Sequence, residues 1–125
     1  MPATPEEIAH VRDLFAGLGD VTTGRLFSGT SFYVEGDVMF ACFLDGTLYM
    51  KSDDNTRAQF EAAGSAPFAY AKATGEQVVT SLMSLPDSAY DDPAEALDWA
   101  RLAYGPALAA AEKKRREKAR KAAKA

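Results

Sequence analysis

The chain has 125 residues, 47% of them apolar and 10% aromatic, and a formal net charge of −4. That length fits one domain, and that composition supplies a packed interior, which excludes global disorder. The single cysteine, Cys42, excludes an intrachain disulfide and a cysteine zinc cluster.

Thr4, Pro5 and Glu7 open the first predicted helix as a capping box with proline in its first turn. Ile8, Val11, Leu14 or Phe15 and Leu18 then recur at helical spacing, and Gly17 and Gly19 end the helix. This end carries acids where a secretory leader has a basic and then an apolar region, and no run of about 18 apolar residues occurs. The sequence therefore predicts a cytoplasmic protein that does not enter a membrane.

From Val21 to Lys51 the period shortens to two, which predicts three or four strands. RLFSGTSFYVEG, residues 25–36, has the small residues of a phosphate-binding loop, but it leads into the alternating run Phe32-Tyr33-Val34 and not into a helix. It reads as a strand-to-strand bend. Gly29 either takes a backbone angle closed to other residues or permits a close approach. VMFACFL, residues 38–44, is apolar on both faces and reads as a central strand, and TLYMK alternates again. The Asp45-Gly46 pair between them signals a tight hairpin.

Ser52 or Asp53 caps a predicted second helix that runs to about Ala63 and stops at Gly64. Strands at 68–72 and 77–83 follow, joined by a turn at Thr74-Gly75 and ended by Pro86. Asp92, Pro93 and Glu95 open the last helix, which Gly105-Pro106 is expected to break or kink. The order predicts a two-layer α+β domain over residues 1–105, with one antiparallel sheet of about five strands and helices mainly on one face, α-β(3)-α-β(2)-α. Residues 106–125 read as a basic helical extension that frays.

Charge divides the same way. Residues 1–111 hold six bases against sixteen acids, a net −10, whereas the tail EKKRREKARKAAKA holds eight bases against two acids, a net +6. An acidic body repels nucleic acid, so phosphate contacts fall to the tail or to a local patch.

Arg25-Leu26-Phe27, Gly29, Tyr33, Gly36, Met39-Phe40-Ala41, Asp45, Leu48-Tyr49, Lys51, Asp53, Phe60 and Gly64 together resemble the N-terminal domain of the TfoX/Sxy family, regulators associated with natural competence. Pro67-Phe68, Tyr70, Ser81, Leu85-Pro86, Asp92-Pro93, Leu97 and Trp99-Ala100-Arg101 continue the pattern. Ser28 and Ser31 stand where the family usually has glycines, and Leu82-Met83 where it commonly has Tyr-Trp. Larger members carry a second domain of helix-hairpin-helix character, for which these residues leave no room; the chain ends instead in the basic helix. The resemblance implies a secretion-chaperone-like α+β fold and no catalytic residue, metal or cofactor.

The inventory of residues agrees. His10 is the only histidine, at the edge of the first helix's apolar face, where it reads as a boundary residue and not as a general base or ligand. Cys42, in the most apolar strand, reads as core. Asp53-Asp54 and Asp91-Asp92 read as helix caps.

Two sets remain as binding candidates. Arg25, Tyr33, Tyr49 and Lys51 fall on the polar parity of neighbouring strands and would stack bases if that sheet face were open; the plainer expectation packs the tyrosines under a loop or in a homodimer interface. Lys113, Lys114, Arg115, Arg116, Lys118, Arg120 and Lys121 of the tail would contact nucleic acid or an acidic protein, or form a solvated helix. The functional expectation is a non-enzymatic regulatory or adaptor domain that works through protein partners in transcriptional control. The alternative is direct nucleic-acid binding through the tail and the tyrosine face.

Overall fold

In the computed structural model, which describes residues 2–124, Thr4 Oγ1 accepts from the Glu7 amide at 3.2 Å while Glu7 Oε1 accepts from the Thr4 amide at 2.8 Å. This reciprocal box starts α1 (Pro5–Leu14), whose Val11 and Leu14 are buried. Met1 and Ala125, at the two ends of the expected ranges, lie outside the described residues.

Six strands follow: β1 (Thr22–Leu26), β2 (Gly29–Val34), β3 (Val38–Leu44), β4 (Thr47–Lys51), β5 (Pro67–Lys72) and β6 (Gly75–Ser84). They form one antiparallel sheet in the order β1-β2-β3-β4-β6-β5. The expected five strands become six because RLFSGTSFYV holds two, joined by a tight turn at Phe27-Ser28, with Leu26 opposite Gly29. β1 is an edge strand, mostly exposed, and its TTGRL carries no apolar alternation to mark it.

The alternation predicted for β2 and β4 sets their faces. Phe32, Val34, Leu48 and Met50 enter the main core with Val11 and Leu14 of α1, Phe15 just after it, Phe60, and the third helix. In β3, Phe32 lies opposite Ala41 but Tyr33 lies opposite Met39, so Phe40 is an extra residue in the ladder. This bulge lets Phe40 and Ala41, adjacent in sequence, both enter the same core with no exposed surface. Beyond it, Cys42 and Leu44 face the other side, where Phe68 and Leu82 join them in a second cluster. The β5–β6 hairpin places Phe68 and Val79 in this cluster, so the second face is partly covered without a helix.

The second helix starts later than the predicted cap at Ser52 or Asp53, with Thr56 in the N-cap position, because Asp53 instead closes a turn ahead of it. Asp53 Oδ1 accepts from the Asn55 and Thr56 amides at 3.0 and 2.9 Å, and Thr56 Oγ1 accepts from the Asp53 amide at 3.0 Å, leading into α2 (Arg57–Ala62). Asp92 caps α3 (Pro93–Lys124), its Oδ1 accepting from the Glu95 amide at 3.2 Å.

The predicted break at Gly105-Pro106 is absent: α3 runs unbroken through 32 residues. Proline clashes with the Cβ of a helical residue before it, and Gly105 has none. Ala103, Ala107 and Ala111 lie four apart and are buried against the main core on both sides of the proline, which holds the helix in line. The expected boundary at residue 105 therefore falls inside one continuous element. Pro106 still deprives the Leu102 carbonyl of its amide partner. Pro106→Ala is expected to raise stability by about 2 kcal/mol, less than the full helix-interior cost of about 3 because alanine also loosens the unfolded chain. A chemical denaturation midpoint checks this.

Candidate functional site

Strand geometry places the turns at two ends of the sheet. The β1–β2 and β3–β4 turns lie at one end; the β2–β3 turn and the end of β4 lie at the other.

Of the four candidates on the sheet, three share a face and one does not. Tyr33 has the parity of Ser31, which lies opposite Cys42, and Cys42 lies opposite Tyr49; Lys51 follows at the same parity. Arg25 lies opposite Thr30 and so points to the other side. The face is not an open stacking platform. Tyr49 packs edge-on against Phe68 with ring centroids 5.3 Å apart, and burial pushes its phenol above the ordinary range. Tyr33 lies half-buried beside Gly24 and accepts from Ser31 Oγ at 3.1 Å. Lys51 is half-buried too, and burial pulls its ammonium below the ordinary lysine range, with Lys114 contributing.

The tail is tied down at its root. Tyr104 donates to both Glu35 oxygens at 2.8 Å, and Arg115 makes a two-pronged pair with Asp37, Nε to Oδ2 at 2.8 Å and Nη2 to Oδ1 at 2.5 Å. The guanidinium holds Asp37 below the usual carboxylate range. Among the described residues Ala111 is the last that is buried, and from Glu112 to Lys124 every side chain is exposed. Lys113, Lys114, Arg116, Lys118, Arg120 and Lys121 thus project along a continuous helix, whereas Arg115 is already paired.

At the opposite end of the strands lies a group that sequence reasoning passes over. Phe27, in the β1–β2 turn, is 84% exposed and has φ of +53°, a left-handed conformation rare for a bulky side chain. With Ser28, Leu44, Asp45, Phe68 and Tyr70 it lines a groove of about 270 Å³. Leu44 and Phe68 form the floor, being buried, while Tyr70 stacks on Phe68 at 5.8 Å and stays 38% exposed. Asp45 is the only carboxylate in the lining among the described residues. The signal in the sequence was Phe27 itself: once the strand ends are placed at Leu26 and Gly29, an aromatic occupies the first central position of a two-residue turn, where glycine is the usual choice.

Other chemistry is quiet. Cys42 is buried, and desolvation pushes its thiol up to about 12. His10 Nε2 donates to the Tyr90 carbonyl at 2.8 Å. Among the described residues no three His, Cys, Asp or Glu side chains converge as a metal site, and no helix is long and apolar enough to cross a membrane.

Residues 13–107 match the family model described as the TfoX N-terminal domain, which takes in the whole sheet and α3 as far as Ala107. No curated protein sequence matches the chain.

Proposed function

The chain belongs to the TfoX N-terminal domain family, and from that premise we propose that it is a non-enzymatic adaptor that docks a protein partner in the groove beside Phe27. The observation that carries this reading is the turn itself. A bulky residue held at positive φ costs about 1 kcal/mol or more, and such strain clusters at sites of binding. Here it gains no burial, because the ring stands in solvent next to an apolar groove. The occupant that fits is a segment of a partner protein that inserts an apolar side chain and carries a basic group, to meet Asp45 and a body of net charge −10. In this reading the partner acts in transcriptional control in the cytoplasm, and membership of the family supports the first of these.

The nucleic-acid reading rests on a different observation, the run of exposed bases on α3 beyond Ala111. One experiment separates the two. The wild-type chain, Phe27→Gly, and a variant with Lys113, Lys114, Arg116, Lys118, Arg120 and Lys121 all changed to Gln are used as bait. The partner should be retained by the wild type and the tail variant. It should be lost by tenfold or more with Phe27→Gly, the size of effect expected when an aromatic anchor worth about 2 kcal/mol is removed. Phe27→Gly itself should unfold no earlier than wild type, since glycine relieves the turn. Equal capture by wild type and Phe27→Gly contradicts the groove; binding of nucleic acid that the tail variant alone loses establishes the second reading, and capture of a second copy of the chain identifies a homodimer.

A further inference from the structure

At the end of the strands away from Phe27, Tyr33, Asp37, Met39 and Lys51 share a cavity of about 70 Å³ with Ala107, Ala110, Ala111 and Lys114 of α3. The alanines leave the room, and two lysines from distant parts of the chain line the space.

Lys51 makes no ion pair there. Among the described residues the ion pairs are Arg57–Asp54 and Arg115–Asp37, and neither includes Lys51 or Lys114. Among the described residues the one carboxylate lining the cavity, Asp37, already holds both prongs of Arg115. Cys42, whose charge would favour the ammonium, remains a neutral thiol at ordinary pH. A half-buried ammonium that makes no ion pair and faces a second ammonium is costly, because desolvation and like-charge repulsion both oppose the charged form.

We propose that Lys51 and Lys114 form a site for a small oxyanion of the phosphate type, held between the end of β4 and the second half of α3. The cavity is far below the volume of about 300 Å³ at which drug-sized ligands are held, which selects a small anionic group over a nucleoside. Lysine suits phosphate as a point charge, and Tyr33 and Met39 supply walls that limit screening by water. Such an anion also ties the tail helix to the sheet beside the Arg115–Asp37 pair. The site is independent of the groove reading, since no residue lines both cavities.

The test is calorimetric titration of the full chain with inorganic phosphate and, separately, with phenyl phosphate. Saturable binding at millimolar concentration is expected. Tighter binding of inorganic phosphate identifies a free ion as the ligand, and tighter binding of phenyl phosphate identifies a phosphoryl group carried on a larger molecule. Lys51→Met and Lys114→Gln should each weaken binding at least tenfold, whereas Lys113→Gln, which removes the same charge one residue away and outside the cavity, should leave it unchanged. Lys114 and Lys113 are both exposed, so those two variants test the site even if Lys51→Met folds poorly. Absence of saturable binding of either probe by the wild type, or equal losses in Lys113→Gln and Lys114→Gln, overturns the proposal.

Discussion

Gly29→Ala is expected to destabilise the domain by about 3 kcal/mol or more, at the upper end of what overpacking a tight site costs. A Cβ at this position would overlap the Phe43 carbonyl oxygen and come within 2.7 Å of Leu44 Cδ2. The obstacle is backbone in the neighbouring strand β3, and it can yield only by opening the β2–β3 ladder that centres the sheet. Of the two roles that sequence leaves open for Gly29, close approach is therefore the one in force; its φ is not among the positive values. Gly24→Ala is the matched control. The nearest atoms to its Cβ would be Tyr33 Cε2 at 3.0 Å and Ser31 Oγ at 3.1 Å, side-chain atoms and not backbone, which need give by only a few tenths of an ångström, so a loss of about 1 kcal/mol or less is expected, as for a typical single substitution. Urea unfolding of the three proteins measures both effects.

Phe40→Ala is the other large effect, with an expected cost of about 3–5 kcal/mol for removing a fully buried aromatic. Phe40 is the unpaired residue of the β3 bulge, and its ring meets Phe15 edge-on at 5.2 Å. The ring is what pins the bulge, because the extra residue contributes nothing to the pairing of β2 with β3. Losing it should also loosen the parity switch that sends Ala41 to one core and Cys42 to the other. Hydrogen exchange across residues 38–44 should then accelerate beyond what global destabilisation explains, and unchanged protection there relative to the rest of the sheet would show that the bulge is held by something else.

The parts of the fold visible in the sequence are those with strong local codes. The Thr4–Glu7 box, the Asp45-Gly46 turn, the cap at Asp92, and the alternation of Phe32-Tyr33-Val34 all govern their own surroundings and appear where expected. What stayed hidden depends on partners far along the chain. β1 is a strand only because β2 pairs with it, α3 passes Pro106 only because alanines on both sides are buried, and the β3 bulge leaves no mark in VMFACFL because both faces of that strand are apolar. The candidate sites divide along the same line. The exposed bases of the tail were legible as charge, whereas the burial of Tyr49 under Phe68 and the meeting of Lys51 with Lys114 required the β5–β6 hairpin and an unbroken α3. Phe27 was legible as a residue but not as a site, since its exposure follows from a turn whose strands had first to be placed.

Two ends of one sheet thus carry different surfaces: an apolar groove with a strained aromatic at one, and a small cavity that Lys51 shares with Lys114 of the basic helix at the other. The claim that the first of these receives a protein partner is tested most directly by placing a photoreactive phenylalanine analogue, in separate proteins, at position 27, at position 70 and at position 78. Val78 is the control, since it is 44% exposed on the same hairpin as Tyr70 and does not line the groove. Irradiation in a native lysate should give the same discrete crosslinked protein from positions 27 and 70 and none from position 78. Crosslinks of equal yield from all three positions, or none from position 27, would contradict the account.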